Sequence, residues 1–241
     1  MQDGVGFERL IPGQTGDEGL LQRHLAAYAF VVGHAGRCGL ALDCGCGAGY
    51  GTQILDRHCG PTVGLDRDAH ALRHARQAYA GPVGHVCGDA LRLPFADRAF
   101  DVIVTSQVLE HFADPDGLCR ELARTCRPAG RAYFVVPNAL TQAPGQYGSS
   151  DYHEVEFDPA ALRAVLDRHF TSVELRGCFA GKVMARHEGA SIWARRSVAG
   201  DRLGLRRLLP AGARRWLLGV VRGSVAARGA AERADDLLGR Y

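Results

Sequence analysis

LALDCGCGAGYG, residues Leu40 to Gly51, decides how the rest of the chain is read. An apolar run ends in a carboxylate, and glycines then stand at 45, 47, 49 and 51. Glycine enters left-handed backbone freely and has no side chain to hold a neighbour off. The stretch reads as a short buried strand, then a sharp turn open to something approaching the backbone, then the start of a helix.

The flanking sequence repeats this alternation. Residues 17–34 carry apolar side chains at helical spacing, among them Leu20, Leu21, Leu25, Tyr28 and Val32. PTVGLD (61–66) reads as a second strand, ending in Asp66, and Asp68 is placed to cap the helix over 68–80. PVGHVCGDA (82–90) gives a third strand ending at Asp89, and FDVIVTSQ (100–107) a fourth. A helix over 114–126 is followed by RPAG, with Gly130 as its end signal, and RAYFVVPN (131–138) is a fifth strand. A helix over 158–170 and a sixth strand over 171–178 complete the pattern. Continuously apolar strands alternating with helices predict an α/β fold with a doubly wound, mostly parallel sheet covered on both faces. Three parts are expected: a lead-in helix over 1–35, a Rossmann-like domain over 36–181, and a basic, mainly helical extension over 182–241.

Composition narrows the function classes. The chain has 241 residues, 46% of them apolar, enough for one substantial core. It has neither a signal-like N-terminus nor an apolar run of membrane-spanning length, so a cytoplasmic protein is expected. The eight cysteines include no CxxC pair and sit in apolar segments, as buried thiols in a reducing compartment do. No metal is expected from their spacing, nor from His70 and His74, which lack the carboxylate of an H-E-x-x-H motif. Charge divides unevenly: residues 1–175 carry a net −6, and residues 176–241 a net +9. The acidic body and the absence of a nucleic-acid motif argue against nucleic acid as a partner.

In an open α/β sheet, ligands bind beyond the carboxyl ends of the strands. Asp43, the glycine loop, Asp66, Asp89 and the 105–111 segment all fall there. Two ligand classes use such a loop. A dinucleotide needs G-x-G-x-x-G/A, but the third position is Tyr50 counted from Gly45 and Thr52 counted from Gly47. S-adenosylmethionine carries no phosphate, and its methionine end offers an ammonium and a carboxylate. Asp43 stands where it can face the ammonium, and the helix start where it can face the carboxylate. Asp66 stands where it can accept both ribose hydroxyls, and Asp89 where it can accept from the adenine amine.

LDCGCGAGYG, VGLD and the 88–138 segment beginning GDALRLPF together resemble the class I S-adenosylmethionine-dependent methyltransferases, in the small-molecule group that includes the ubiquinone-biosynthesis methyltransferase. The likeness runs over roughly residues 20–180. ERLIPG (8–13), HLAAYAF (24–30) and YHEVEFDPAALRAVL (152–166) resemble a bacterial subgroup associated with sugar and polysaccharide biosynthesis. Ala27 stands where that subgroup has an arginine, and RPAG replaces its Pro-Gly-Gly turn. The resemblance implies S-adenosylmethionine as cofactor. It implies cofactor contacts at Tyr28, Asp43, Gly45, Cys46, Gly47, Gly49, Asp66, Arg67, Asp89, Ala90, Ser106 and Gln107. It implies methylation of a small-molecule acceptor, with a hydroxyl of a sugar or glycoside as the leading class.

Removing a hydroxyl proton suits a histidine, which titrates near neutrality. His111, in VLEHF just past the fourth strand, is the first candidate, and His153, in the loop expected to cover the acceptor, is the second. Against this, His111 packing its own segment, His153 as a plain loop residue, and Glu110 as a structural hydrogen-bond partner are the ordinary alternatives. Asp97 and Asp101 read as shaping the turn into the fourth strand.

The basic extension is split by Pro210, after which Trp216, Leu217, Val220 and Val221 share a helix face. That face can pack on the sheet, cover the acceptor pocket, form a dimer contact, or lie on an anionic membrane surface through 201–224. The residues admit all four, and with them a lipid-linked or quinone-like acceptor and either a monomer or a homodimer. A non-catalytic S-adenosylmethionine-binding assembly partner is the rival reading. A seventh strand has one candidate, GASIWARRSV (189–198).

Overall fold

Strands that are apolar on both faces must be covered on both, and the connections that achieve this fix the architecture. The computed structural model describes residues 18–79, 84–141 and 153–178. It runs α1 (Glu18–Ala35), β1 (Ala41–Cys44), α2 (Tyr50–His58), β2 (Thr62–Asp66), α3 (Ala69–Ala78), β3 (Gly84–Cys87), β4 (Phe100–Ser106), α4 (Pro115–Thr125), β5 (Cys126–Val135) and α5 (Pro159–Leu166). The five strands form one sheet of order β3-β2-β1-β4-β5. Every pairing among them is parallel.

The chain steps outward from β1 to β3, then returns to the other side of β1. Right-handed crossovers therefore put α2 and α3 on one face and α4 on the other. The switch point lies between β1 and β4, where loops leaving the strands diverge and a crevice opens. α1 packs on α2, burying Leu21, Leu25, Tyr28 and Val31 at helical spacing, and α5 packs on α4. Val31, rather than the expected Val32, takes the inner position.

The helices begin where short polar side chains stand in for missing backbone partners. Asp68 accepts from the His70 and Ala71 amides, Asp114 from Gly117, and Asp158 from Ala161. The core between sheet and α4 holds Leu42, Leu65, Phe100, Ile103, Leu109, Leu118 and Leu122, all nearly without exposure. Burying each such side chain contributes about 1.5–3 kcal/mol.

The fifth strand begins earlier than its sequence suggests. Cys126 pairs with Phe100, and Arg131 with Val102, so residues 127–130 bulge out of an otherwise regular pair. Gly130 is not in the left-handed region. A Cβ there would come within 2.9 Å of the Asp101 carbonyl oxygen, so space selects glycine, not backbone freedom. Asp101 ties this corner to β1, accepting the Gly39 and Leu40 amides at 2.9 and 3.0 Å. The expected sixth strand, 171–178, has no strand pairing among the described residues.

One compact unit closes at Arg176. The seventh-strand candidate, the 201–224 segment and residues 8–13 lie outside the described residues. No described helix is long and apolar enough to cross a membrane. All eight cysteines are free thiols, and burial raises those of Cys44 and Cys46 far above the usual range, which makes them inert packing groups.

Candidate active site at the carboxyl rim of the sheet

The glycine loop turns directly off β1. The Gly45 and Cys46 amides donate to the Leu65 carbonyl at 2.7 and 3.0 Å, which folds the loop back over β2. Gly49 caps α2 at φ 86°, and a Cβ there would meet the Ala75 Cβ at 2.6 Å. Gly47, at φ 51°, has nothing among the described residues within 4 Å of its would-be Cβ. The loop is closed beneath Gly49 and open over Gly47, so a ligand can reach the backbone at that point.

Asp66 sits beside this opening. Its Oδ2 accepts the Gly47 amide at 2.9 Å and its Oδ1 the Asp68 amide at 2.8 Å. Both bonds hold the carboxylate at the end of β2, next to the glycine loop. Arg67 and Asp89 are exposed, and Ala90 is buried. Asp89 accepts from the Leu91 amide at 2.9 Å and caps a short turn, Ala90–Arg92. Ser106 is buried, and its hydroxyl has no hydrogen-bond partner among the described residues. Gln107 follows at φ 56°, a left-handed position held by its amide bond to the Val135 carbonyl at 2.8 Å. Strain of this kind collects at functional rims.

Asp43 is held from two sides. It is 0% exposed, and it accepts from the Tyr28 hydroxyl at 2.9 Å and the Thr52 hydroxyl at 2.7 Å. Burial raises its carboxyl to about 6, against the lowering effect of those two bonds. Its two oxygens join α1 and α2 to β1. Tyr28 is turned inward with it, and its ring lies where a Gly51 side chain would be. Nothing in the local sequence marks Thr52 as a partner of Asp43 or the steric role of Gly51, because the one depends on α2 packing against β1 and the other on α1 packing against this turn. Tyr50 is buried and shares a hydrogen with His24 Nδ1 at 2.7 Å. Burial and the neighbouring Arg23 push His24 down to about 4, so it stays neutral at physiological pH.

The two candidate bases are brought together although 42 positions separate them in sequence. The Glu154 and Val155 amides donate to the Glu110 carbonyl at 2.9 and 3.1 Å. A bridge between Asn138 and Phe157 anchors the far side of that segment. The result sets the His111 and His153 rings edge to face, with centroids 5.0 Å apart. Glu110 lies beneath them, 1% exposed. The expected hydrogen-bonded Glu110 side chain is not found: neither carboxylate oxygen has a partner among the described residues. Burial pushes that carboxyl up to about 8, so the proton is largely retained at neutral pH.

Residues 42–134 match a family model described as a methyltransferase domain. A probable S-adenosylmethionine-dependent methyltransferase of Mycolicibacterium smegmatis is 32% identical over 195 residues, which is 78% of this chain and 74% of that protein. A malonyl-[acyl-carrier protein] O-methyltransferase of Herminiimonas arsenicoxydans is 33% identical over 128 residues, 52% of this chain and 48% of that protein. Among solved structures, a complex of the Haloferax volcanii Trm112 methyltransferase activator with a methyltransferase gives a TM-score of 0.55 at 21% identity, covering 64% of this chain and 70% of that chain.

Proposed function

The chain belongs to the S-adenosylmethionine-dependent methyltransferases, and from that premise we propose that it methylates a hydroxyl oxygen of a small molecule, with sugars and glycosides as the leading class. The observation that carries this reading is the pairing of His111 with His153, ring centroids 5.0 Å apart, just past the end of β4. A relative named for O-methylation supports oxygen as the target atom. The likeness of 8–13, 24–30 and 152–166 to the sugar-associated subgroup supports the acceptor class.

The rim suits the cofactor. Asp66 stands at the end of β2 beside the Gly47 amide, where its carboxylate would meet the ribose hydroxyls. Gly45, Cys46, Gly47 and Gly49 would hold the methionine end at the start of α2. Asp89 and Ala90 would flank the adenine, with Arg67, Ser106 and Gln107 on the surrounding rim. Asp43 and Tyr28 would act through the loop they brace. When bound, S-adenosylmethionine supplies a methyl group already activated by its sulfonium charge. The chain's own part is to exclude water, hold the acceptor oxygen in line, and take its proton on an imidazole, first that of His111.

The test is isothermal titration with S-adenosylmethionine and S-adenosylhomocysteine, followed by methyl-transfer assays on a panel of sugars and glycosides. Micromolar cofactor binding is expected, weakened in Asp66→Ala by about 1–3 kcal/mol, the cost of losing charge-assisted hydrogen bonds. Turnover confined to nitrogen or carbon acceptors would reject the oxygen assignment, and absent binding by folded protein would reject the site.

A further inference from the structure

Glu110, His111 and His153 form the one group of metal-ligating side chains found among the described residues. One carboxylate oxygen and one nitrogen from each ring lie within 4.8 Å of one another. The carboxylate is buried at 1% exposure, and neither of its oxygens has a hydrogen-bond partner among the described residues. A buried carboxylate without a partner is costly, and either a proton or a cation relieves it. Two imidazoles beside it make the cation the more specific solution: two nitrogens and one carboxylate oxygen are a donor set for zinc and neighbouring divalent ions.

The geometry is close to what an ion requires. Ligands at about 2.0–2.2 Å from a tetrahedral centre stand about 3.5 Å apart. The cluster spans up to 4.8 Å, so loading needs a contraction on the order of 1 Å. Both rings are only partly buried. The segment carrying His153 hangs from the Glu110 backbone carbonyl through the 154 and 155 amides, which keeps the two side chains on one short stretch of backbone contact. Magnesium and calcium prefer all-oxygen shells, and this set does not supply one.

We propose that Glu110, His111 and His153 bind a divalent transition-metal ion, with the remaining position open to the acceptor's hydroxyl oxygen. The inference deepens the reading of this rim as the acceptor site and rests on it for the ion's role. In the loaded state both imidazoles hold the ion, and the ion's charge replaces an imidazole in easing loss of the hydroxyl proton, which leaves to water. The acceptor oxygen then forms its bond to the methyl carbon, and the carbon–sulfur bond breaks with its electron pair remaining on sulfur.

The test uses the full-length, chelator-stripped protein titrated with cobalt(II), with binding read from its visible absorption bands and confirmed by zinc(II) competition. One ion per chain is expected. Binding should weaken about tenfold or more in both Glu110→Gln and His153→Ala, since even outer-sphere changes have effects of that size, while His70→Ala leaves it unchanged. Far-UV circular dichroism and thermal melting of each variant check that it is folded. Wild-type protein that binds S-adenosylmethionine but no ion overturns the metal site and leaves the cofactor reading intact. Ion binding that survives in both variants belongs to other groups, such as the exposed thiols of Cys87 and Cys178, and also overturns it. Ion uptake lost in the variants, by protein that binds no S-adenosylmethionine, supports the site and rejects the methyltransferase rim.

Discussion

The Tyr28 hydroxyl donates to the Asp43 carboxylate across 2.9 Å in a contact closed to solvent. The lead-in helix is thereby joined to the strand that launches the glycine loop. Tyr28→Phe leaves one carboxylate oxygen with its bond unmade. A loss of about 1–3 kcal/mol in urea unfolding at neutral pH is expected, and an unchanged midpoint would mean the bond contributes nothing to the folded state.

Asp43 also gives the molecule a pH signature. Its folded value is about 6, against an ordinary 3.8. Between those values the folded chain keeps a proton that the unfolded chain has lost, so this group's contribution to stability falls as pH rises and levels off above about pH 6. The size is about 3 kcal/mol, at 1.36 kcal/mol per unit. Asp43→Asn cannot titrate. Its stability relative to wild type should therefore rise with pH from about 4 to about 6, and parallel unfolding curves across that range would dismiss the effect.

Gly49 and Gly33 make a paired comparison. Gly49→Ala forces a side chain into left-handed backbone and against the Ala75 Cβ, 2.6 Å away. A destabilisation of about 2 kcal/mol is expected, with weaker S-adenosylmethionine binding by titration. Gly33 lies within α1 with nothing within 4 Å, so Gly33→Ala should raise the melting temperature, gaining up to about 1 kcal/mol of helix propensity.

Arg124 holds the turn before β4 without approaching the rim. It donates to the Leu93 and Phe95 carbonyls at 3.1 and 2.9 Å and pairs with Asp97 and Glu121. Arg124→Ala should cost about 1–3 kcal/mol in unfolding and leave the S-adenosylmethionine dissociation constant as it was. A shift in that constant would show that the turn communicates with the site.

His111→Ala should lower kcat about a hundredfold or more, with cofactor affinity unchanged by titration. A parallel loss of affinity would assign His111 to cofactor binding instead.

The local pattern determined a great deal here. Continuously apolar strands alternating with helices specify a parallel sheet, because each strand must bury both of its faces. The same alternation puts the glycine loop, Asp66 and Asp89 on one rim, since residues at successive strand ends share it. Tertiary structure decided what depends on contacts between distant segments. Asp43 turned inward because the hydroxyls of Tyr28 and Thr52 meet it from two helices. His153 reached His111 because the Glu110 carbonyl captured the following amides. The same docking sealed the Glu110 carboxylate in a place where it has no partner among the described residues. Spacing along the chain pointed to no metal, and no spacing rule groups Glu110, His111 and His153, because the fold brings them together by bonds between backbone groups 44 and 45 positions apart.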